Sequence, residues 1–251
     1  FMGIFIIAIG TSLPEFAATV SAMQIGESGI VAGNLVGSNI ANILLVGGVM
    51  LLPLHSYTIE SKDKVSLHFF LGISILFSLV LFINITLSYL AIIFIFILLG
   101  IFLYLELGKV REEVREFENI ETTNTLLITK IIFSFVILYF SSKYFIGYAR
   151  NISTYFGIAD TIIGVSIVAL GTSLPEVITT IIAIYKKRSN LALGNIIGSC
   201  VANITMISFI AILIGGSINF YELLDNFNKL IFLLTGLVSV SYTHLTLPTK
   251  A

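Results

Sequence analysis

Long apolar stretches separated by short polar ones run along almost the whole chain, and they predict membrane-spanning helices. A helix needs about 20 apolar residues to cross a bilayer. Stretches of this kind cover residues 1–23, 29–52, 66–84, 86–105, 125–146, 160–184 and 191–216, and a partial one begins near residue 229. We label these predicted spans A to H in chain order. The pattern predicts an all-α polytopic membrane protein.

The polar segments divide this pattern into two halves. Residues 1–106 form the predicted first half, residues 107–124 a charged cytoplasmic loop, and residues 125–240 the second half. Phe1 follows no positively charged leader, so we expect it to be a point where a longer chain was cut. Residues 241–251 are too polar and proline-broken to complete a span, and we expect a non-native or disordered tail.

Basic residues predict which loops face the cytoplasm, because short cytoplasmic loops are enriched in Lys and Arg. The loops between spans B and C, D and E, and F and G contain eight Lys or Arg residues. The alternate loops contain three, which are Lys143, Arg150 and Lys229. The first set is therefore predicted to be cytoplasmic and the second set to lie outside.

An internal repeat relates the two halves. GTSLPE occurs at residues 10–15 and again at 171–176, and GNLVGSNIANI at 33–43 is matched by GNIIGSCVANI at 194–204. Both pairs are separated by the same 161 residues. Five membrane crossings separate the two copies, and an odd number of crossings inverts the second copy. Inverted-topology repeats are typical of secondary transporters, whose substrate site lies at the repeat interface near the midplane.

Composition limits the classes of function. The chain is 57% hydrophobic and 11% charged with a net charge of −1, which excludes a soluble domain and gives no sign of nucleic acid binding or of an obligate protein partner. Cys200 is the only cysteine, so an internal disulfide framework is excluded. The lipid bilayer is the predicted surrounding, and the predicted location is the cell membrane, as a multi-pass protein of prokaryotic type.

Two glutamates are the candidate functional residues. Of the 14 acidic residues, only Glu15 and Glu176 fall inside predicted spans, both at the last position of GTSLPE. A carboxylate at the centre of a membrane costs about 3 kcal/mol on insertion scales. No Lys or Arg lies deep in a span to compensate it. Either the glutamates are protonated, or a bound cation compensates them.

The residues around each glutamate predict a cation site. Pro14 and Pro175 remove a backbone donor and should interrupt the helix at the carbonyls of Gly10 and Gly171. Freed carbonyls then join hydroxyl oxygens within one turn of each glutamate, and hard cations such as Na⁺ and Ca²⁺ prefer oxygen ligands. The candidate hydroxyls are those of Thr11, Ser12, Thr172 and Ser173.

The second motif of each repeat adds oxygen ligands and a close helix contact. Ser38 and Asn42 are four residues apart and share a helical face, as do Ser199 and Asn203. Glycines at four-residue spacing allow close approach of helices in lipid; they are Gly33, Gly37, Gly194 and Gly198. For Asn34 and Asn195 we favour a bracing or capping role.

Several functions would fit a predicted cation site of this kind, and they remain open. A calcium/proton or potassium-dependent antiporter would use the same glutamates, and an ion channel could use the same oxygens. An intramembrane enzyme is disfavoured, because no His or Cys lies near the glutamates and no base activates the neighbouring serines. We therefore expect no enzyme activity and no cofactor, only transported ions.

These motifs resemble those of the cation/calcium antiporter superfamily, in its branch of bacterial and archaeal sodium/calcium exchangers. The likeness rests on GTSLPE followed by GNxxGSNxxN, twice, and covers nearly the whole chain. It implies a ten-helix fold of which this chain is a fragment, with spans A to G as its second to eighth helices. It also implies exchange of Na⁺ for Ca²⁺ by alternating access.

The resemblance implies a metal site at twelve positions. They are Glu15, Glu176, Thr11, Ser12, Thr172, Ser173, Ser38, Asn42, Ser199 and Asn203, with the backbone carbonyls of Ala8 and Ala169. One position departs from the family pattern, since exchangers of this branch often have an aspartate where this chain has Asn203. The departure affects the expected number of Na⁺ ions, the calcium affinity and the part played by protons or potassium.

Overall fold

Helices form nearly all of the structure, a computed structural model that describes residues 8–52, 61–113 and 124–244. Four helical residues, 8–11, come first, and the remaining elements are numbered in chain order. The helices are α1 (Leu13–Gln24), α2 (Ser28–Leu51), α3 (Ser61–Phe82), α4 (Tyr89–Glu113), α5 (Asn124–Phe156), α6 (Asp160–Tyr185), α7 (Ser189–Gly215), α8 (Phe220–Leu223) and α9 (Asn226–His244).

Five of the described helices are long and apolar enough to cross a membrane. Their apolar segments are Ser28–Leu51, Val65–Phe82, Ile132–Phe156, Asp160–Tyr185 and Ser189–Gly215, which correspond to predicted spans B, C, E, F and G. Span D is a shorter apolar segment, Tyr89–Phe102, and the first seven residues of span A lie outside the described part. The all-α, polytopic membrane fold is therefore confirmed.

Three segment ends differ from the sequence prediction. The apolar part of α5 extends to Phe156, ten residues beyond the predicted end of span E. Helix α4 continues to Glu113, into the predicted charged loop, because its Glu, Lys and Arg side chains are good helix formers. Helix α9 reaches His244, while residues 245–251 of the predicted tail lie outside the described part.

Helices α2 and α7 lie at the centre of the bundle. Each is 78% buried over its apolar segment, against 39% for α6 and 18% for α5. Helix α2 packs along α6, α1 packs between α2 and α5, and α7 packs on the second part of α6. The second motif of each repeat therefore supplies the central helices, and α5 presents most of its surface to the outside of the bundle.

Glycine allows α2 and α6 to cross with their backbones in contact. A Cβ atom on Gly33 would lie 2.3 Å from the carbonyl oxygen of Thr161, and one on Gly37 would lie 2.5 Å from that of Val165. A Cβ atom on Gly198 of α7 would lie 2.7 Å from the Cβ of Ala8, so this glycine also leaves room for a close neighbour. The predicted role of these three glycines in close helix contact is confirmed.

The GTSLPE motif interrupts its helix at the serine. Ser12 and Ser173 have nearly the same backbone angles, φ −83° and ψ near 0°, between two helical segments. The interruption was predicted two residues earlier, at Gly10 and Gly171. It falls at the serine because the proline occupies the first turn of the next segment, where a backbone N–H has no helical partner to lose.

Two pairings between loops agree with the predicted topology. Strands β1 (Leu87–Ser88) and β2 (Ser217–Ile218) pair antiparallel and join the loop after α3 to the loop after α7. Arg150 and Glu27 form an ion pair of 2.7 Å between the end of α5 and the turn between α1 and α2. All four loops are predicted to lie on the outer side, and these contacts place them pairwise together.

Candidate functional site

Glu15 and Glu176 lie at equivalent positions, in the first turn of a helical segment that follows each interruption. Both side chains are fully buried. The hydroxyl of Ser12 donates to Glu176 Oε1 at 3.2 Å, and the hydroxyl of Ser173 donates to Glu15 Oε1 at 3.2 Å. Each GTSLPE motif thus supplies a serine to the glutamate of the other copy, which brings the two glutamates to one place inside the bundle.

The other hydroxyls of the predicted site also face the opposite repeat. The Thr11 hydroxyl donates to the amide oxygen of Asn195 at 3.2 Å, and the Thr172 hydroxyl donates to that of Asn34 at 3.3 Å. The Thr11 and Ser199 hydroxyl oxygens are 3.4 Å apart. Both threonines are buried, and Ser199 is fully buried. These hydroxyls therefore contact the opposite repeat, and the two threonines belong to the same motifs as the two serines that bind the carboxyl groups.

The carbonyl oxygens of Ala8 and Ala169 face the same cluster. That of Ala8 accepts from the Ser12 amide and the Thr11 hydroxyl at 3.1 Å each, and from the Ser199 hydroxyl at 3.4 Å. That of Ala169 accepts from the Ser173 amide at 3.0 Å and the Thr172 hydroxyl at 3.3 Å. Both carbonyls are thus placed beside the threonine of their own repeat.

Asn42 and Asn203 lie where α2 and α7 change from α-helical to π-helical geometry. The π-helical segments are Ala41–Val46 and Asn203–Ile207, at equivalent positions of the two repeats. Such segments are rare and occur often at functional sites. Both amides are fully buried, and neither has a hydrogen-bond partner among the described residues.

Unpaired oxygens of the two glutamates accompany these amides. Within the described part of the chain, Glu15 Oε2 and Glu176 Oε2 are buried and accept no hydrogen bond. Buried polar atoms are usually paired, so each exception calls for an explanation. A cation bound between the two repeats would supply a partner for the carboxylate and amide oxygens.

Asn34 and Asn195 connect the two repeats. The amide oxygen of Asn195 accepts from the Thr11 hydroxyl at 3.2 Å, and that of Asn34 accepts from the Thr172 hydroxyl at 3.3 Å. Asn34 also accepts from Ser38 at 3.1 Å and donates to the backbone carbonyl of Glu15 at 3.4 Å. The sequence favours bracing or capping for these two asparagines, and their contacts with Thr11 and Thr172 join one repeat to the other.

No basic side chain neutralises the glutamates in the described part of the chain. Lys229 is the buried basic residue there, and its amino group donates to the carbonyl of Tyr221 at 2.8 Å, near the start of α9. The described residues also contain no cluster of three His, Cys, Asp or Glu side chains that could hold a metal. The site is instead two carboxyl groups surrounded by neutral oxygens.

This oxygen-rich, inverted arrangement agrees with a comparison against known families. A family model described as sodium/calcium exchanger protein matches residues 1–108 and 126–251. The chain belongs to the sodium/calcium exchanger family. It is accordingly a multi-pass cell-membrane protein of a transporter family.

Individual relatives place this exchanger within the family. It is 31% identical to the sodium/calcium exchanger MaX1 of Methanosarcina acetivorans over 82% of this chain and 71% of MaX1. It is 32% identical to the putative antiporter CaxA of Alkalimonas amylolytica over 81% of this chain and 66% of CaxA. The solved structure of the sodium-calcium exchanger NCX_Mj superposes with a TM-score of 0.65 at 24% identity, covering 97% of this chain and 78% of NCX_Mj. That likeness establishes the shared fold.

Proposed function

We propose that this protein exchanges Na⁺ for Ca²⁺ across the cell membrane by alternating access, with both ions bound in turn between Glu15 and Glu176. The observation that carries the proposal is the reciprocal contact of two buried carboxyl groups, each held by the serine of the other repeat. Membership in the sodium/calcium exchanger family supports the choice of ions.

The ligands of the proposed site are oxygen atoms of all twelve positions implied by the family resemblance. The glutamates supply negative charge, and the hydroxyl, amide and carbonyl oxygens complete the coordination. Ca²⁺ accepts six to eight oxygen ligands in flexible geometry, which this mixture of side-chain and backbone oxygens can provide. Na⁺ is a hard cation of similar size and competes for the same oxygens.

The two carboxyl groups also explain why exchange is obligatory. An ionised carboxylate buried without a partner is energetically costly, and here no basic side chain of the described spans compensates it. While the site is empty and ionised, the protein should therefore change only slowly between its outward-facing and inward-facing states. Either ion relieves this cost, so the site changes sides mainly when it is loaded with Ca²⁺ or Na⁺.

The test is calcium uptake into proteoliposomes that contain the purified protein and are loaded with NaCl. Dilution into sodium-free buffer with radioactive Ca²⁺ should give uptake that collapses when the Na⁺ gradient is dissipated. Glu15→Gln and Glu176→Gln should each abolish it. Glu27→Gln is the matched control, because Glu27 lies in the turn between α1 and α2, outside the predicted spans, in an ion pair with Arg150, and its loss should leave uptake close to that of the wild type.

Two further arms of this assay separate the rival antiporters. A pH gradient in sodium-free buffer would drive uptake by a calcium/proton antiporter, and a K⁺ gradient added to the Na⁺ gradient would alter uptake only if K⁺ is a coupling ion. Uptake that needs a pH gradient and ignores Na⁺ would overturn the proposal. So would normal sodium-driven uptake by both glutamine variants.

A further inference from the structure

The threonine hydroxyls of the site have more hydrogen-bond acceptors than hydrogens. Thr11 Oγ1 lies 3.1 Å from the carbonyl of Ala8 and 3.2 Å from the amide oxygen of Asn195. A hydroxyl has one hydrogen to donate, so it satisfies one of these acceptors at a time. Donation to the carbonyl occupies an oxygen of the proposed ion site, whereas donation to the amide leaves that oxygen free.

The second repeat offers the corresponding pair of acceptors and one more. Thr172 Oγ1 lies 3.3 Å from the carbonyl of Ala169 and 3.3 Å from the amide oxygen of Asn34, and the Val168 carbonyl of its own helix is a third acceptor at 3.0 Å. In each case the competing amide comes from the other repeat, and both asparagines are buried away from water. Without the amide, the only acceptors recorded for either threonine would be groups of the ion site or of its own helix.

We propose that Asn34 and Asn195 are positioning residues that set ion affinity. Each accepts the hydrogen bond of a threonine hydroxyl when an ion binds. A cation near the Ala8 or Ala169 carbonyl repels the hydroxyl hydrogen from that oxygen. The hydroxyl then donates its hydrogen bond to the amide oxygen of the other repeat, and its lone pairs face the ion. This inference rests on the proposed function and assigns to the asparagines no direct contact with the ion.

Asn195 offers the cleaner test, because its recorded hydrogen bond is the one with Thr11, and its amide nitrogen is without a partner among the described residues. Asn195→Leu keeps the approximate shape and removes the acceptor. We expect the apparent KM for Ca²⁺ and for Na⁺ to rise about fivefold to tenfold, which is the effect of one hydrogen bond, with little change in maximal rate.

A double-mutant cycle distinguishes positioning from general damage. If Asn195 acts through Thr11, then Asn195→Leu should add no more than about twofold to the KM of Thr11→Val. The Thr172 hydroxyl contacts Asn34 and not Asn195. In the Thr172→Val background, Asn195→Leu should therefore raise the KM as much as it does in the wild type. The converse should hold for Asn34→Leu, which should couple to Thr172→Val and not to Thr11→Val.

Asn39 provides a matched control within α2. It is buried like Asn34, but it donates to the carbonyl of Leu35 in its own helix at 2.8 Å. The second repeat has Cys200 at the equivalent position, so Asn39→Cys introduces a side chain that this fold already accommodates there. We expect the KM values of Asn39→Cys to stay within about twofold of the wild type, because Asn39 makes no hydrogen bond with a hydroxyl of the site.

Ion-induced thermal stabilisation repeats the cycle without transport. The rise in melting temperature with added CaCl₂ or NaCl reports binding alone. A wild-type protein that fails to exchange ions would refute the proposed function. The binding cycle would still test the role of the asparagines. Additive effects of Asn195→Leu and Thr11→Val, or equal coupling to both threonines, would overturn the inference. If Asn195→Leu does not fold, the Asn34 cycle decides by the same criteria, and failure of both variants to fold would also overturn it, since the role would then be architectural.

Discussion

The backbone contact between α2 and α6 predicts that Gly33→Ala destabilises the protein strongly. The added Cβ would lie 2.3 Å from the Thr161 carbonyl oxygen and 2.8 Å from the Gly164 Cα. Both neighbours are backbone atoms of α6 and cannot rotate away. The two helices must separate by about 1 Å to restore ordinary contact, and overpacking of this kind costs about 1–3 kcal/mol or more.

Gly48→Ala, in the same helix, isolates the effect of the crossing. A Cβ on Gly48 meets no atom within 4 Å. Both substitutions gain helix propensity of about 1 kcal/mol, so the difference between them measures the overpacking. At about 3 kcal/mol, and about 2–4 °C per kcal/mol for a chain of this size, Gly33→Ala should melt roughly 6–12 °C below Gly48→Ala.

Cys200 provides the assay. It is the only cysteine of the chain and is fully buried in α7. A thiol-reactive fluorescent maleimide should therefore label the detergent-solubilised protein only as it unfolds, and the midpoint of labelling on heating gives the melting temperature. Equal midpoints for the two variants, within about 2 °C, would show that α2 and α6 do not cross at backbone contact and would refute the reasoning.

Three further predictions follow from individual contacts. Ser12→Ala and Ser173→Ala should raise the KM for Ca²⁺ by similar factors, about tenfold each, because each removes one hydrogen bond to a carboxylate; uptake kinetics in proteoliposomes would show whether the two effects match. Burial and Asp160 raise the pKa of Glu27 above its usual 4.5, so the folded protein holds this proton more tightly than the unfolded chain and loses stability as pH rises above 4.5. Glu27→Gln should flatten that decline in melting temperature, and an unchanged pH profile would contradict the assignment. Asn84→Ala removes a 2.7 Å hydrogen bond beside the β-ribbon and should cost about 0.5–1.5 kcal/mol, with faster amide exchange in both strands; unchanged exchange would show that the bond does not hold the ribbon.

The repeated motifs predict which residues come together in the candidate site, because residue type and spacing alone single them out. Glu15 and Glu176 stand out as the acidic residues within predicted spans, and the constant spacing of 161 residues identifies the inverted pair. The glycines at 33 and 37 also predicted close packing, since only a residue without a side chain permits backbone contact. The structure brings these residues together as the repeat implies.

Other features could not be predicted, because they depend on contacts between distant segments. The π-helical turns at Asn42 and Asn203 have no signature in the residue pattern, since hydropathy is the same for either helical geometry. The cross-repeat partners of Asn34 and Asn195 become visible only when both halves are in place. The break at Ser12 was displaced from its predicted position because proline is tolerated in the first turn of the following helix.

The contact of each serine with the glutamate of the other repeat also has a consequence for biosynthesis of the chain. Ser173 follows Glu15 by 158 residues, which a ribosome needs roughly 8–30 s to add at about 5–20 residues per second. Throughout that interval the newly inserted first half carries an acidic group in the bilayer with no hydroxyl from the second half to solvate it. Biosynthesis therefore passes through a stage in which the nascent chain must keep that group neutral or sheltered, until the later helices arrive.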